Sequence, residues 1–277
     1  MSVQQRNNVN SMGVSGSSSN APTLVFAHGF GCDQNMWRFV LPAFTADYPV
    51  LMFDLVGAGL SDASAYDRSK YDSLHGYASD LLEILDEYAN GPVIFIGHSV
   101  AGMIGVLADL QAPGRFAAHV LIGSSPCYLN DGDYRGGFEH SDIQSLLQTL
   151  ESNYLGWSST IAPTLMGAPE RPELGAELAS SFSRTDPEIA KHFARVTFTA
   201  DHRADVARLA TPALILQCSD DVIVPQTVGS YLQASMPNAT LRVIDNIGHL
   251  PHMSSPNTCI QAIRDYLPTL LRPAHAD

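Results

Sequence analysis

The stretch that decides the fold is Val93-Ile94-Phe95-Ile96-Gly97-His98-Ser99-Val100-Ala101-Gly102. It begins as a short, β-branched apolar run, turns at Gly-x-Ser-x-Ala, and continues into apolar residues with helical spacing. A strand that enters a helix through such a turn exposes the serine hydroxyl on a sharp elbow. Small residues at Gly97 and Ala101 allow the strand and the helix to pack closely, although glycine is more usual at the second position. The stretch therefore predicts a nucleophilic Ser99 on a strand–turn–helix element.

Further apolar runs of the same kind occur along the chain. They are short, rich in β-branched residues and not alternating, as expected of strands buried on both faces of a parallel sheet. Segments of helix length separate them, which predicts an α/β fold with a mostly parallel central sheet flanked by helices. The predicted strands cover residues 24–27, 50–53, 93–96, 120–122, 213–216 and 241–244, and the clearest helices cover residues 77–88 and 256–271.

The strand pattern is interrupted between residues 127 and 205. This segment (127–205) contains helix-like pieces and many aromatic side chains but no convincing strand. We interpret it as an inserted helical cap, or lid, over the carboxyl edge of the sheet, and we assign the core to residues 21–126 and 206–277. Residues 1–20 are rich in Asn, Ser and Gly, so we expect a flexible N-terminal arm with one edge strand near residues 9–14.

The composition excludes several classes of protein. The 277 residues are 45% hydrophobic and 16% charged, as in a globular rather than a disordered chain. Lys and Arg number 15 against 28 Asp and Glu, and the net charge of −13 argues against binding to nucleic acid or to an anionic membrane surface. No apolar run reaches about 18 residues and no signal peptide is visible, so we expect a cytoplasmic protein. The scattered cysteines are expected to be reduced thiols: Cys32, Cys127, Cys218 and Cys259.

Ser99 needs two partners for nucleophilic catalysis. A hydroxyl requires a base, and the base requires an orienting carboxylate. In a fold of this kind the expected chain order is serine, acid, histidine. The predicted strand 213–216 leads to Asp220 and Asp221, and the last predicted strand leads to Gly248-His249 on a loop before the final helix. We predict Ser99, Asp221 and His249 as the catalytic residues.

Two of these assignments have alternatives. Asp220 is adjacent to Asp221, which we prefer because Val224-Pro225 follows it at the spacing usual for such loops. His252 could replace His249, but we expect it to have a supporting or structural role. A metal site built on these two histidines lacks a third ligand, so we predict no metal.

Acyl transfer also needs hydrogen-bond donors for the oxyanion of its tetrahedral intermediate. Residues 24–31 supply a predicted strand followed by a His-Gly turn, and the backbone N–H groups of Phe30 and Val100 are the natural pair of donors. We interpret His28 as a side chain that supports this turn. Gly57-Ala58-Gly59 lacks the third glycine of a dinucleotide motif, and the sequence has no phosphate-binding loop, so we expect no cofactor.

Five short motifs resemble those of a known family: His28-Gly29-Phe30-Gly31-Cys32-Asp33-Gln34, Phe53-Asp54-Leu55-Val56-Gly57, Gly97-His98-Ser99-Val100, Ser125-Pro126-Cys127-Tyr128-Leu129-Asn130 and Gly248-His249-Leu250-Pro251-His252-Met253-Ser254. Over residues 22–271 the chain resembles the α/β-hydrolase superfamily, and within it the RsbQ-type stress regulators and the strigolactone and karrikin receptors. The resemblance implies four cap helices over a small apolar pocket, with the serine triad retained. It also implies a partner phosphatase with a PAS domain for the RsbQ type, and slow hydrolysis of a butenolide for the plant receptors.

Two functional classes fit these residues, because a fold does not by itself determine function. The first is an esterase or lactonase that turns over small apolar esters or butenolide-like lactones. The second is a slow or single-turnover signalling receptor that binds a small hydrophobic ligand and regulates a partner phosphatase. Phe138, Trp157 and Phe198 are candidates to line the pocket, although each could simply pack cap helices together. A carbon–carbon bond hydrolase or a cofactor-free haloperoxidase is a third class, whereas haloalkane dehalogenases and epoxide hydrolases use a carboxylate where Ser99 stands.

Overall fold

A seven-stranded sheet forms the centre of the protein in the computed structural model, which describes residues 1–12 and 21–270. Its strands are β1 (Asn10–Met12), β2 (Thr23–Ala27), β3 (Val50–Phe53), β4 (Val93–His98), β5 (Phe116–Ile122), β6 (Ala213–Asp220) and β7 (Ala239–Ile247). They lie side by side in the order β1-β3-β2-β4-β5-β6-β7, and only β1 is antiparallel to its neighbour. The predicted mostly parallel sheet is confirmed.

Helices cover both faces of this sheet and its carboxyl edge. They are α1 (Val3–Asn7), α2 (Leu74–Tyr88), α3 (Val100–Gln111), α4 (His140–Met166), α5 (Pro172–Arg184), α6 (Pro187–Thr199), α7 (Arg203–Val206), α8 (Gln226–Ser235), α9 (Pro251–Ser254) and α10 (Pro256–Leu270). The alternation of strands and helices is that of the predicted α/β-hydrolase fold.

The strands carry two apolar layers, one on each face of the sheet. On one face, side chains such as Val25 and Phe95 pack against α2 and α3. On the other face, side chains such as Phe26 and Ile96 pack against Trp37 and α10. Because both faces are covered, β2, β3 and β4 are buried along their whole length, which explains their continuous apolar sequences.

The helices α4, α5 and α6 lie between β5 and β6 in the chain, inside the segment that we predicted as the cap. α4 is two helices joined at a kink, because Asn153 has non-helical backbone angles (φ −156°, ψ 73°). The Asn153 side-chain oxygen accepts a hydrogen bond from the Gly156 N–H at 3.0 Å and so caps the second half. α4, α5 and α6 therefore contribute four helical pieces, and the short α7 begins before the end of the segment.

The N-terminal residues correct the expectation of a loose arm over residues 1–20 but contain the edge strand expected near residues 9–14, which is β1. α1 and β1 are held against the body of the protein, and β1 pairs with β3 at the edge of the sheet. Asn7 is buried, and its side chain donates a hydrogen bond to the Asp54 carbonyl at 3.1 Å. Arg6 donates to Glu83 at 2.6 Å. Specific polar contacts therefore order α1, which the polar sequence did not indicate, and residues 13–20 of that expectation lie outside the described residues.

The state of the cysteines and the character of the helices can be compared with the expectations from composition. All four cysteines are buried and unpaired, as expected of reduced thiols. In the described part of the chain, none of the helices combines the length and the apolar character that a membrane span requires.

Candidate active site

Ser99 occupies the turn between β4 and α3 in a strained backbone conformation. Its φ of 56° and ψ of −125° are rare for a residue with a side chain, and such strain is typical of functional turns. Its N–H donates to the Ile122 carbonyl at 2.8 Å, which ties the turn to β5. A Cβ at Gly97 would lie 2.8 Å from the Gly102 nitrogen, so strand and helix approach as closely as the sequence predicts.

The structure brings the three predicted catalytic residues into one hydrogen-bonded chain. The Ser99 Oγ lies 2.8 Å from His249 Nε2, and His249 Nδ1 lies 2.8 Å from Asp221 Oδ2. All three side chains are buried at the carboxyl edge of the sheet, where β4, β6 and β7 end. Sites in parallel α/β sheets form at this edge because the loops after the strands converge there.

Asp221, rather than Asp220, contacts the histidine. The second Asp221 oxygen, Oδ1, accepts hydrogen bonds from the N–H groups of Ile223 at 2.8 Å and Val224 at 3.1 Å. These bonds fix the plane of the carboxylate so that Oδ2 meets the imidazole. Asp220 is exposed, and its carbonyl accepts a hydrogen bond from the Gly248 N–H.

The loop that carries His249 packs against the end of α4. The His249 N–H donates to the Leu165 carbonyl at 2.7 Å, and Gly248 has a φ of 94°. A Cβ at Gly248 would lie 2.6 Å from the Met166 carbonyl oxygen, and one at Gly167 would lie 2.2 Å from the Ile247 carbonyl oxygen. Glycine is required at both positions because the two backbones touch.

The two predicted oxyanion donors flank Ser99. Val100 is the first residue of α3, where an N–H has no partner within its own helix. Phe30 follows β2 in the turn that begins at His28. Among the described residues, neither of these two N–H groups has a hydrogen-bond acceptor, so both can donate to a ligand oxygen.

His28 supports the oxyanion turn, as its position after β2 predicts. The Leu55 N–H donates to His28 Nε2 at 3.0 Å, and His28 Nδ1 lies 2.9 Å from the Gly29 carbonyl oxygen. One nitrogen accepts and the other donates, which joins the turn to the loop after β3.

A cavity of about 190 Å³ lies above Ser99, between the sheet edge and α4, α5 and α6. The three predicted pocket residues, Phe138, Trp157 and Phe198, all line it. They also contact other aromatic rings, as Phe198 does with Phe138 at 6.3 Å between ring centroids. The remaining lining is mainly apolar and includes Leu146, Ile161, Leu165, Leu178, Phe182, Ile223 and Leu250.

Tyr128 and Cys32 also line the cavity and were not assigned a role from the sequence. Burial raises the pKa of the Tyr128 phenol, an effect that the neighbouring Ser99 side chain partly offsets. Burial, with Asp33 and Glu177 nearby, also raises the pKa of the Cys32 thiol, so this thiol is not an activated nucleophile. The motif Ser125–Asn130 contains Tyr128, but nothing in its spacing indicates that the ring turns towards Ser99.

His252 is fully buried and lies behind the site. Its ring centroid lies 4.5 Å from that of Trp37 and 4.4 Å from that of His98, and both pairs of rings are tilted. Burial, with His249 as a smaller cause, lowers the pKa of His252 to about 3. Across residues 1–12 and 21–270, no group of three or more His, Cys, Asp or Glu side chains has a metal-binding arrangement.

A fold and a site of this kind define a class of protein. The family described as "Alpha/beta hydrolase family" matches residues 24–262, and the chain belongs to this family. It is 37% identical over 280 residues to the "Karrikin insensitive 2 receptor CA" of Petunia hybrida, covering 99% of this chain and 98% of that one. It is also 37% identical to the "Strigolactone esterase D14" of Arabidopsis thaliana, covering 88% of this chain and 92% of that one.

Similarity to a solved structure supports the same family. A hydrolase from Oleispira antarctica superposes on the chain with a TM-score of 0.91 at 40% sequence identity, and the match covers 96% of each chain. The resemblance to the karrikin and strigolactone receptors is confirmed, and the RsbQ-type subfamily fits these relatives.

Proposed function

We propose that the protein is a serine hydrolase of the esterase or lactonase type that acts on a small, apolar ester or a butenolide-like lactone. The observation that carries this proposal is the chain of 2.8 Å contacts from Ser99 through His249 to Asp221 beneath an apolar cavity. Membership of the α/β-hydrolase family and relatives named as esterases support ester hydrolysis.

In the proposed first half-reaction, the Ser99 Oγ attacks the substrate carbonyl while His249 Nε2 takes the hydroxyl proton. Asp221 accepts a hydrogen bond from His249 Nδ1, which holds the imidazole in the tautomer that leaves Nε2 free to act as base. The N–H groups of Phe30 and Val100 donate to the oxyanion of the tetrahedral intermediate. His249 then returns its proton to the leaving oxygen, and the acyl group stays on Ser99.

In the proposed second half-reaction, water replaces the leaving alcohol. His249 removes a proton from the water, which attacks the acyl carbonyl, and the acid departs as Ser99 regains its proton. For a lactone substrate, the leaving oxygen is part of the same molecule as the acyl group, so ring opening gives a single hydroxy acid. The chemistry needs no metal or cofactor.

The cavity supports a small and uncharged substrate. Phe30, Trp157 and Phe182 surround the space above Ser99, and apolar walls of this kind favour apolar ligands with few polar atoms. The polar groups next to Ser99 are His249 and the Tyr128 phenol, and the lining also contains His98, Thr164 and Thr197.

The test is turnover of short p-nitrophenyl esters and a synthetic butenolide by wild type, Ser99→Ala and His249→Ala. We expect many products per enzyme molecule from wild type and a loss on the order of 10³-fold or more in each variant. Circular dichroism checks that each variant is folded. Full activity of Ser99→Ala would refute the proposal.

A second candidate function is a signalling receptor with a slow or single-turnover triad. The similarity to the Petunia hybrida protein named as a karrikin receptor favours it, and the RsbQ-type resemblance adds a PAS-domain phosphatase as its partner. Intact-mass spectrometry separates the two candidates in the same experiment. A persistent adduct on Ser99 after one burst of product supports the receptor, whereas a mass that returns to that of the free protein supports the turnover enzyme.

A further inference from the structure

His98 is the residue that β4 places immediately before Ser99, and its ring is buried, with 2% of the residue exposed. The proposed mechanism gives this imidazole no chemical step. Its ring nevertheless touches the loop of the base and the loop of the oxyanion donors, which come from distant parts of the chain.

The first contact is with the main chain of His249. His98 Nε2 lies 2.9 Å from the His249 carbonyl oxygen. A carbonyl oxygen can only accept a hydrogen bond, so Nε2 carries the proton and donates it. On the other side of the same residue, the His249 N–H donates to the Leu165 carbonyl at 2.7 Å. The backbone of the proposed base is therefore held from the sheet by His98 and from the cap by α4.

The second contact is with the loop of the oxyanion donors. Gly29 rests on the His98 ring so closely that a Cβ there would lie 2.7 Å from His98 Nδ1 and 3.0 Å from the Ser99 Cβ. Gly29 directly precedes Phe30, whose N–H is one of the proposed donors. A change in the position of the His98 ring would therefore move both the base and the oxyanion site.

His98 is suited to this role because it stays neutral. Burial is the main cause that lowers its pKa well below the usual range, and the neighbouring His252 and His249 add to the effect. Its Nδ1 has no hydrogen-bond partner among the described residues, so the Nε2–H tautomer is fixed by the bond to His249 alone. A neutral ring also adds no positive charge beside the imidazolium that His249 forms during turnover.

We infer that His98 is a positioning residue: its Nε2–H holds the His249 backbone, and its ring supports Gly29, so that the base and the oxyanion donors keep their places around Ser99. This inference rests on the proposed hydrolase function. A misplacement of about 1 Å in such a site reduces turnover by on the order of 10²-fold. Although His98 also lines the cavity, we expect the main effect on kcat, because the apolar residues around the substrate space are unchanged.

A matched pair of variants tests the hydrogen bond. His98→Met and His98→Gln have side chains of nearly the same shape, but only Gln presents an N–H near the position of Nε2. We expect His98→Met to lose about tenfold to a hundredfold in kcat on a short p-nitrophenyl ester with KM within about threefold of wild type. His98→Gln should recover most of the loss. Equal kcat values in the two variants would overturn the inference.

A double-mutant cycle tests whether the effect passes through His249. In a His249→Ala background, His98→Met should lose much less of the residual rate than it loses in the wild-type background, because the base is absent and only the support of Gly29 remains. An undiminished loss in that background would show a structural effect and would refute the positioning role. His119→Gln is the control for replacing a buried histidine, since His119 pairs with Asp109 far from Ser99, and we expect its kcat to equal that of wild type.

The same assays separate this inference from the function on which it depends. If Ser99→Ala and His249→Ala abolish turnover while His98→Met matches wild type, only the positioning role is wrong. If Ser99→Ala retains full activity, the hydrolase proposal itself is wrong. Thermal unfolding of every variant establishes that the assays compare folded proteins.

Discussion

Asp221 shows how a single carboxylate is oriented before it meets its partner. One oxygen accepts the N–H groups of Ile223 and Val224, and the other faces His249 Nδ1. A carboxylate held by two backbone donors has little freedom to rotate, so the imidazole is fixed in turn. The neighbouring Asp220 makes no such contacts with its side chain and is exposed.

The adjacent pair provides a matched test at the residue scale. Asp221→Asn should reduce kcat by on the order of 10⁴-fold, the size of the loss when the same change selects the wrong histidine tautomer in a serine protease. Asp220→Asn should change kcat by less than about twofold, since the substitution does not touch His249. Steady-state hydrolysis of a p-nitrophenyl ester measures both. If Asp220→Asn caused the larger loss, the assignment of the acid would be reversed.

The lowered pKa of His252 predicts that the stability of the protein depends on pH. Burial lowers its pKa from 6.5 to about 3 in the folded protein. Between these values the unfolded chain binds a proton that the folded protein does not, so acidification favours unfolding. This loss in the free energy of unfolding begins as the pH falls below about 6.5 and continues to about pH 3, at about 1.4 kcal/mol for each pH unit.

The variant His252→Phe should remove this contribution. Neither nitrogen of His252 has a hydrogen-bond partner among the described residues, so a phenyl ring can replace the imidazole against Trp37 without losing a bond. Wild type should lose about 2 kcal/mol more of its free energy of unfolding than the variant between pH 7 and pH 5. Urea titrations at the two pH values measure this difference. Parallel losses in the two proteins would show that His252 titrates normally.

At the scale of elements, the end of α4 and the loop after β7 form one unit. Gly167 ends α4 with a φ of 64°, and a Cβ there would lie 2.2 Å from the Ile247 carbonyl oxygen, two residues before His249. The histidine loop can therefore move only if the cap helix moves with it. This contact links the position of the cap to the geometry of the proposed base.

Substitution of two glycines with similar φ angles distinguishes the effect of that contact from the effect of backbone strain. Gly167→Ala and Gly132→Ala both place a Cβ on a residue with positive φ, but Gly132, with a φ of 57°, has nothing within 4 Å. We expect Gly132→Ala to lose about 1–2 kcal/mol of stability and Gly167→Ala to lose more, because its Cβ also meets the Ile247 carbonyl, as measured by urea unfolding. Only Gly167→Ala should also lose about tenfold or more in kcat. Equal kcat values would show that the histidine loop tolerates displacement of α4.

The sequence predicts elements well where burial alone determines them. The strands from β2 to β6 appear as apolar runs because helices cover both faces of the sheet, whereas β7 lies at the edge of the sheet and is only partly buried. By contrast, the order of α1 depends on contacts such as that of Asn8 with Asp54 at 2.7 Å, and a polar run gives no sign of such partners. The kink at Asn153 has the same origin, since a side-chain cap inside a continuous helical pattern leaves the pattern unchanged.

The predicted site has a similar division. The residues expected at the ends of strands, Ser99, Asp221 and His249, are brought together because parallel strands end at one edge. The cavity lining was predicted only in part, because the apolar side chains of α4, α5 and α6 pack against one another as well as line the cavity. Periodicity does not distinguish these two roles, so Phe182 was not assigned, and Tyr128 lies between β5 and α4, where no helical period applies.

At the scale of the whole molecule, the net charge of the chain and the lining of the cavity both disfavour anionic ligands. The chain has a net charge of −13, and the lining of the cavity contains no Lys or Arg among the described residues. An anionic substrate is therefore repelled at long range by the protein field and must lose its hydration without gaining a cation. The two effects differ in their response to salt, because screening weakens only the long-range field.

A pair of substrates that differ in one group measures the effect of the cavity. p-Nitrophenyl butyrate and p-nitrophenyl hemisuccinate have acyl chains of the same length, but the second ends in a carboxylate. We expect kcat/KM for the anionic ester to be lower by on the order of 10²-fold or more, because burial of an unpaired carboxylate costs several kcal/mol. Most of this preference should persist in 1 M NaCl, where the protein field is screened. Comparable values for the two esters would mean that the acyl group does not enter the apolar cavity.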